Sequence, residues 1–166
     1  MKGIPFNPTS ARAIRGKNWE AVLFKDISSK DLNVQKTWDM YRKKYPNKNN
    51  TAIALIERKE GDIIVTLAHK TVHFECIVCP EPGTKGYFPE HKRSNFHSKE
   101  GEEKWYAFMI SSDGLSGEQY FIPAAVWNSY SGKLPKSDWY GKAFRAYSAD
   151  IIKSIRAAQK SLNNIL

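Results

Sequence analysis

Cysteine is scarce: Cys76 and Cys79 are the only two in 166 residues. Two residues apart, they would close too small a loop for a structural disulfide. Long apolar runs are also missing, and no stretch approaches the roughly 20 residues that span a bilayer. The opening MKGIPFNPTS has no continuous apolar core of the kind a secretory signal carries. The expected setting is therefore cytoplasmic and away from membranes. Internal repeats and low-complexity tracts are absent. Acidic residues are outnumbered, 17 against 26 Lys and Arg, which leaves a net charge of +9. The imbalance is concentrated in residues 1–50, which hold 11 Lys or Arg against 4 Asp or Glu. Such a basic third points to a polyanion partner, DNA first, although small domains are also basic for solubility alone.

What is present suffices for a core. Hydrophobic residues make up 41% of the chain, so global disorder is excluded and one domain over residues 1–166 is expected. Thr9 and Ser10 are helix-capping residues, and Trp19, Val22, Leu23 and Ile27 recur at helical spacing, so a helix is expected over 11–27. SSKDLNVQKTWDMYRKKYP predicts a second helix, capped by Ser28 or Ser29 and stopped before Pro46. TAIALIE, GDIIVTL, TVHFECIV, KWYAFMIS and QYFIP predict five strands, the first buried on both faces. A long loop separates the third from the fourth. PAAVWNSY predicts a short helix with Pro123 in its first turn. Ile151, Ile155, Ala158, Leu162 and Ile165 predict a closing amphipathic helix. The expected fold is α/β or α+β, a mixed sheet of about five strands flanked by N-terminal helices and a C-terminal helix.

On the third strand Val72, Phe74, Cys76 and Val78 share one face, and His73, Glu75 and Ile77 the other. If the second and third strands form a hairpin, Asp62 and Glu75 converge at one end of the sheet. Two converging carboxylates in a basic protein suit Mg²⁺, which takes carboxylates, waters and phosphate oxygens. An aspartate after glycine is equally an ordinary turn residue.

The surroundings resemble the PD-(D/E)xK nuclease superfamily of restriction enzymes and junction resolvases. IRGKNWEAVLF, with Gly16 and Glu20, is similar to its first helix; GDIIV and HFECI are similar to its aspartate and (D/E)xK strands. WYAFMIS and YFIPAAVW look like a later strand pair found in several members. The resemblance covers roughly residues 11–130. It implies a restriction-endonuclease-like core and DNA phosphodiester hydrolysis. It also implies Mg²⁺ on Asp62 and Glu75, with Glu20 as a further ligand, and homodimers that cut two strands. Where that family has its lysine, this chain has Ile77. The lysine's task then passes to Lys92, or to Lys70; or His73 handles the proton; or the protein is catalytically silent and binds.

A zinc reading competes. Cys76, Cys79, His91 and His97 follow a C-x2-C-x11-H-x5-H pattern, near a C2H2 finger, with Phe74 two positions before the first cysteine. Pro and Gly in PEPGTKGYFPEH sit where a finger's second strand and helix would form. Candidate nucleic-acid contacts are Arg12, Arg15 and Lys17 at the first helix, Arg42, Lys43 and Lys44 at the second, and Lys92, Arg93 and Asn95 in the long loop. Two functions are thus expected: a Mg²⁺-dependent DNA endonuclease, or a silent nucleic-acid binder that zinc at Cys76, Cys79, His91 and His97 could staple.

Overall fold

The Ser10 side chain accepts the Ala13 N–H at 3.2 Å and starts helix α1, Ala11–Ser28. Trp19, Leu23 and Ile27 recur every fourth residue on α1 and are fully buried. A computed structural model describes residues 10–79, 87–89, 96–130, 144–146 and 157–166. After α1 come β1 (Asn33–Lys36), α2 (Thr37–Lys44), α3 (Asn50–Glu60), β2 (Ile63–Thr66) and β3 (Thr71–Cys79). Then follow β4 (Tyr87–Pro89), β5 (Glu102–Ile110), β6 (Glu118–Pro123), α4 (Ala124–Tyr130), β7 (Phe144–Ala146) and α5 (Leu162–Ile165).

Five strands form one mixed sheet in the order β1-β2-β3-β5-β6. β1, β2 and β3 make an antiparallel meander. β3 and β5 run parallel along their full length, from Thr71 opposite Glu102 to Cys79 opposite Ile110. β6 returns antiparallel to β5. β4 and β7 pair separately as a two-stranded ribbon. The expected class therefore holds: mixed α and β, with a five-stranded mixed sheet, N-terminal helices and a C-terminal helix. Among the described residues no helix is long and apolar enough to cross a membrane.

The alternation on β3 divides the core in two. Phe74 joins Trp19, Leu23, Ile27 and Phe121 on the α1 side, with Cys76 and Val78 packed against them. Ile77 joins Phe96, Tyr106, Phe108 and Trp127 on the α4 side. α1 is held to the sheet by more than apolar contact, because the Trp19 indole N–H donates to the Ala107 carbonyl at 2.8 Å.

Several elements differ from expectation. TAIALIE is the body of helix α3, not a strand. The Asn49 side chain caps it by accepting the Ala52 N–H at 2.9 Å, and Ile53 is its buried residue while Leu55 is 52% exposed. A short apolar run cannot by itself distinguish helix from strand. The fifth strand is β1, whose residues the sequence placed inside a second helix; that helix is shorter and starts at Thr37. Pro123 ends β6, and α4 begins at Ala124. The closing helix is interrupted where Lys160 bridges to Phe121; Ile151 and Ile155 lie outside the described residues.

Two glycines are required by geometry. Gly61, between α3 and β2, has φ +85°, and a Cβ there would meet the Phe74 carbonyl oxygen at 2.7 Å and the Phe96 ring at 3.0 Å. Gly114, in the β5–β6 turn, has φ +78°, and a Cβ would come to 2.1 Å from the Arg15 carbonyl oxygen. The turn is also held there by the Asn18 amide, which donates to the Asp113 carbonyl at 2.9 Å. Gly114→Ala is expected to destabilise the fold by about 1–3 kcal/mol through left-handed strain, with the clash adding to it. A urea melt superimposable on the parent's would refute this close approach.

Candidate metal centre at the β2–β3 junction

β3 has nine residues, but β2 pairs only with Thr71 to Phe74. Asp62 stands where β2 gives out. Its N–H donates to the Phe74 carbonyl at 2.7 Å. Its Oδ2 accepts the Cys76 N–H, also at 2.7 Å. A side chain thus continues the ladder where the backbone of β2 leaves off. The Asp62 carbonyl in turn accepts the Thr37 N–H at 2.9 Å, which ties in the β1–α2 junction. The paired register ends at Ile63 opposite Phe74; by bonding the Phe74 carbonyl through its N–H and the Cys76 N–H through its side chain, Asp62 spans Glu75 on β3. Glu75 is 2% exposed.

Helix α1 contributes Glu20, beside the anchored Trp19 and 8% exposed. Lys17 Nζ lies 3.3 Å from Glu20 Oε2, and Lys36 Nζ lies 3.8 Å from Oε1. Burial pushes the Asp62 carboxyl well above the usual range, and the charges of Glu75, Glu20 and Glu57 push it further, against the Cys76 N–H. The Cys76 thiol is pushed up by burial and by Asp62, Glu20 and Glu75. For Lys17, burial works against the ammonium, but Glu20, then Glu57 and Asp62, outweigh it and hold it above its ordinary value. Four carboxylates therefore act on one region, with Lys17 and Lys36 beside it. Their hard oxygens suit a divalent cation, whose charge would reverse the local penalty on ionised Asp62.

Asp62 feels the charges of Glu75 and Glu20, the other two carboxylates named from sequence, although among the described residues the ligand oxygens of the three do not all come within 4.8 Å of one another. Glu57 was missed. Its signal was a helical reading of TAIALIE, which would have placed it on the last turns before Gly61-Asp62. Ile77 is 9% exposed and packs in the α4-side core. Lys70 is paired with Glu103 at 2.6 Å, alongside the Thr71 end of β3. Lys92, Arg93, Asn95 and His91 lie outside the described residues, as do the side chains of Arg12 and Cys79. Cys76 is turned into the α1-side core and His97 is exposed, so the described part of the C-x2-C set is not gathered at one point.

Of the basic residues, Arg15 presents its carbonyl to the Gly114 turn. Arg42 hydrogen-bonds the Lys48 carbonyl and the Asn50 side chain and covers the Trp38 ring, bracing the α2–α3 connection. Lys43 and Lys44 are exposed. Lys44 Nζ lies 5.4 Å from the Tyr45 ring centroid.

His73 shares a face with Glu75 but belongs to its own cluster. Its Nδ1 is 2.8 Å from the Glu60 carbonyl and its Nε2 is 2.9 Å from Thr71 Oγ1. Burial pulls the ring below the ordinary histidine range, opposed by the Glu60 carbonyl and the Glu60 and Glu102 carboxylates, with Lys104 adding to the fall.

Comparison with protein-family models, curated proteins and solved structures finds no match.

A carboxyl whose folded pKa is raised contributes most below its unfolded pKa, and the contribution is lost as pH rises through the folded value. At neutral pH, Asp62→Asn is therefore expected to raise the melting temperature by a few degrees. The gain should shrink as pH falls toward the ordinary aspartate range. Asparagine keeps an oxygen for the Cys76 N–H, so the comparison isolates the charge. A variant that melts below the parent at neutral pH would refute the account.

Proposed function

We propose that the chain is a Mg²⁺-dependent DNA endonuclease of the PD-(D/E)xK type, with Asp62 and Glu75 as ligands and Glu20 as a third. The observation that supports this reading best is Asp62 itself: a buried carboxylate held by the Cys76 N–H where β2 stops pairing with β3, its proton affinity raised by burial and by the charges of Glu75, Glu20 and Glu57. When bound there, Mg²⁺ would activate a water and stabilise the charge that builds on phosphorus. The chain's own residues supply the setting. The Cys76 N–H fixes the Asp62 carboxylate. The Trp19–Ala107 hydrogen bond fixes the turn of α1 that carries Glu20. Lys17 and Lys36 keep positive charge beside the carboxylates, where a phosphate must approach. The motif position is taken by Ile77, so the neutralising role falls to these two cations among the described residues. The +9 net charge favours DNA through phosphate contacts. A homodimer would let two such sites cut both strands.

The burial of Ile77 favours a second reading, the same fold as a silent DNA binder. Plasmid, branched and single-stranded DNA incubated with Mg²⁺ or Mn²⁺ separates the two. Cleavage is expected, falling about 100-fold or more in Asp62→Ala and Glu75→Ala, since metal stabilisation is worth several kcal/mol. Salt-dependent DNA binding should survive both changes. Binding without cleavage by the parent, unchanged or tightened in Glu75→Ala, would establish the silent reading instead.

A further inference from the structure

A second group of ligand-type atoms lies across Gly61 from Asp62. Glu60 ends α3, His73 lies on β3, and Glu102 begins β5. One ligand atom from each lies within 4.8 Å of the others. The three come from separate parts of the chain, and backbone hydrogen bonds set their spacing. The Gly61 N–H donates to the Glu57 carbonyl at 2.7 Å, which closes α3 just after Glu60. The Thr71 N–H donates to the Gly101 carbonyl at 2.9 Å, and Thr71 lies opposite Glu102. Ligands on regular elements of this kind are already positioned before any ion arrives.

The histidine is prepared in one tautomer. The Glu60 carbonyl can only accept, so in the neutral ring Nδ1 carries the proton, 2.8 Å from that oxygen. Nε2 then keeps its lone pair. Metal-binding histidines usually donate their other N–H to a carbonyl or carboxylate in this way. Glu102 Oε2 lies 3.6 Å from Nε2. Two ligands of one tetrahedral zinc ion, at bonds of about 2.0–2.2 Å, stand about 3.4 Å apart. Glu60 Oε2 lies 3.4 Å from Nδ1, and a Glu60 carboxylate oxygen lies within 4.8 Å of the ligand atoms of both His73 and Glu102.

Charge and access agree with this. The His73 side chain is 3% exposed, but those of Glu60 and Glu102 are 19% and 20% exposed, so the cluster reaches water on its carboxylate side. Lys104 Nζ is 3.7 Å from Glu102 Oε1 and donates to the Lys59 carbonyl at 2.7 Å. Its single positive charge faces one of the cluster's two carboxylates and leaves an excess of negative charge.

We propose that Glu60, His73 and Glu102 form a site for a divalent transition-metal ion, zinc foremost and manganese second. An imidazole with two carboxylates suits these ions, whereas Mg²⁺ prefers oxygen alone. The ion takes the Nε2 lone pair that the Thr71 hydroxyl, 2.9 Å away, now engages, and waters complete its shell. Its role is to clamp the end of α3 to β3 and β5. The proposal stands independently of the nuclease reading.

The test is calorimetric titration of the full chain, stripped with chelator and freed of it, with zinc chloride and then manganese chloride. One equivalent of zinc is expected, bound more tightly than manganese and raising the melting temperature. His73→Ala should weaken it at least about 10-fold, the lower end of what altering a metal shell costs. Glu60→Gln, on the accessible rim, should weaken it too and serves if His73→Ala does not fold. Asp62→Asn and Cys79→Ser should retain this equivalent. Cobalt in place of zinc should give visible absorption that is lost with His73. Failure of the parent to bind zinc would overturn the proposal. So would full binding in both His73→Ala and Glu60→Gln, or loss of the equivalent in Asp62→Asn or Cys79→Ser.

Discussion

The fold around the candidate centre depends on one hydrogen bond, from the Cys76 N–H to the Asp62 carboxylate. β2 is too short to satisfy that part of β3, and a buried N–H left without an acceptor costs roughly what a lost hydrogen bond does. A carboxylate meets the need and brings a charge with it. Once the charge is there, its surroundings determine its chemistry. Glu75 lies between Phe74 and Cys76, the two β3 residues that Asp62 bonds, and Glu20 rides on the anchored turn of α1. The same bond that completes the sheet thus concentrates negative charge on a protein that is otherwise strongly basic.

That concentration opposes folding. Carboxylates gathered where water is scarce raise one another's proton affinity, and a fold selected for stability alone has no reason to keep them. Cations are placed at the rim: Lys17 and Lys36 reach Glu20 from α1 and β1. Apolar packing carries the load on both sheet faces. It includes Ile77, which gives the α4-side core a side chain where the resembled family places a charge.

Much of this was legible in the residues. The alternation in TVHFECIV sorted Phe74 and Cys76 from Glu75 and Ile77, because one strand between two cores must alternate. The hairpin of GDIIVTL and TVHFECIV, posed as a condition from sequence, is present as the antiparallel pair β2–β3, and Trp19 and Leu23 showed the buried face of α1. The misreadings have equally local causes. TAIALIE is apolar for long enough to resemble a buried strand, yet it sits on the surface as a helix with one buried residue. NVQK is a half-exposed strand of four residues with no apolar face, so its neighbours' helical signal masked it. The Glu60–His73–Glu102 cluster left no mark in sequence. Its acids sit in ERKEG and KEGEEK, ordinary charged stretches, and parallel pairing of β3 with β5 is what brings them together.

Gly61 gives these features a shared consequence. Its carbonyl-side neighbour Asp62 faces the carboxylate centre, and its amino-side neighbour Glu60 faces the histidine cluster. The backbone between them is confined by Phe74 and Phe96 and holds a torsion that other residues rarely accept. Two chemically different groups of side chains are therefore pinned by a single joint. A backbone shift at this joint would be transmitted from one group to the other within one residue.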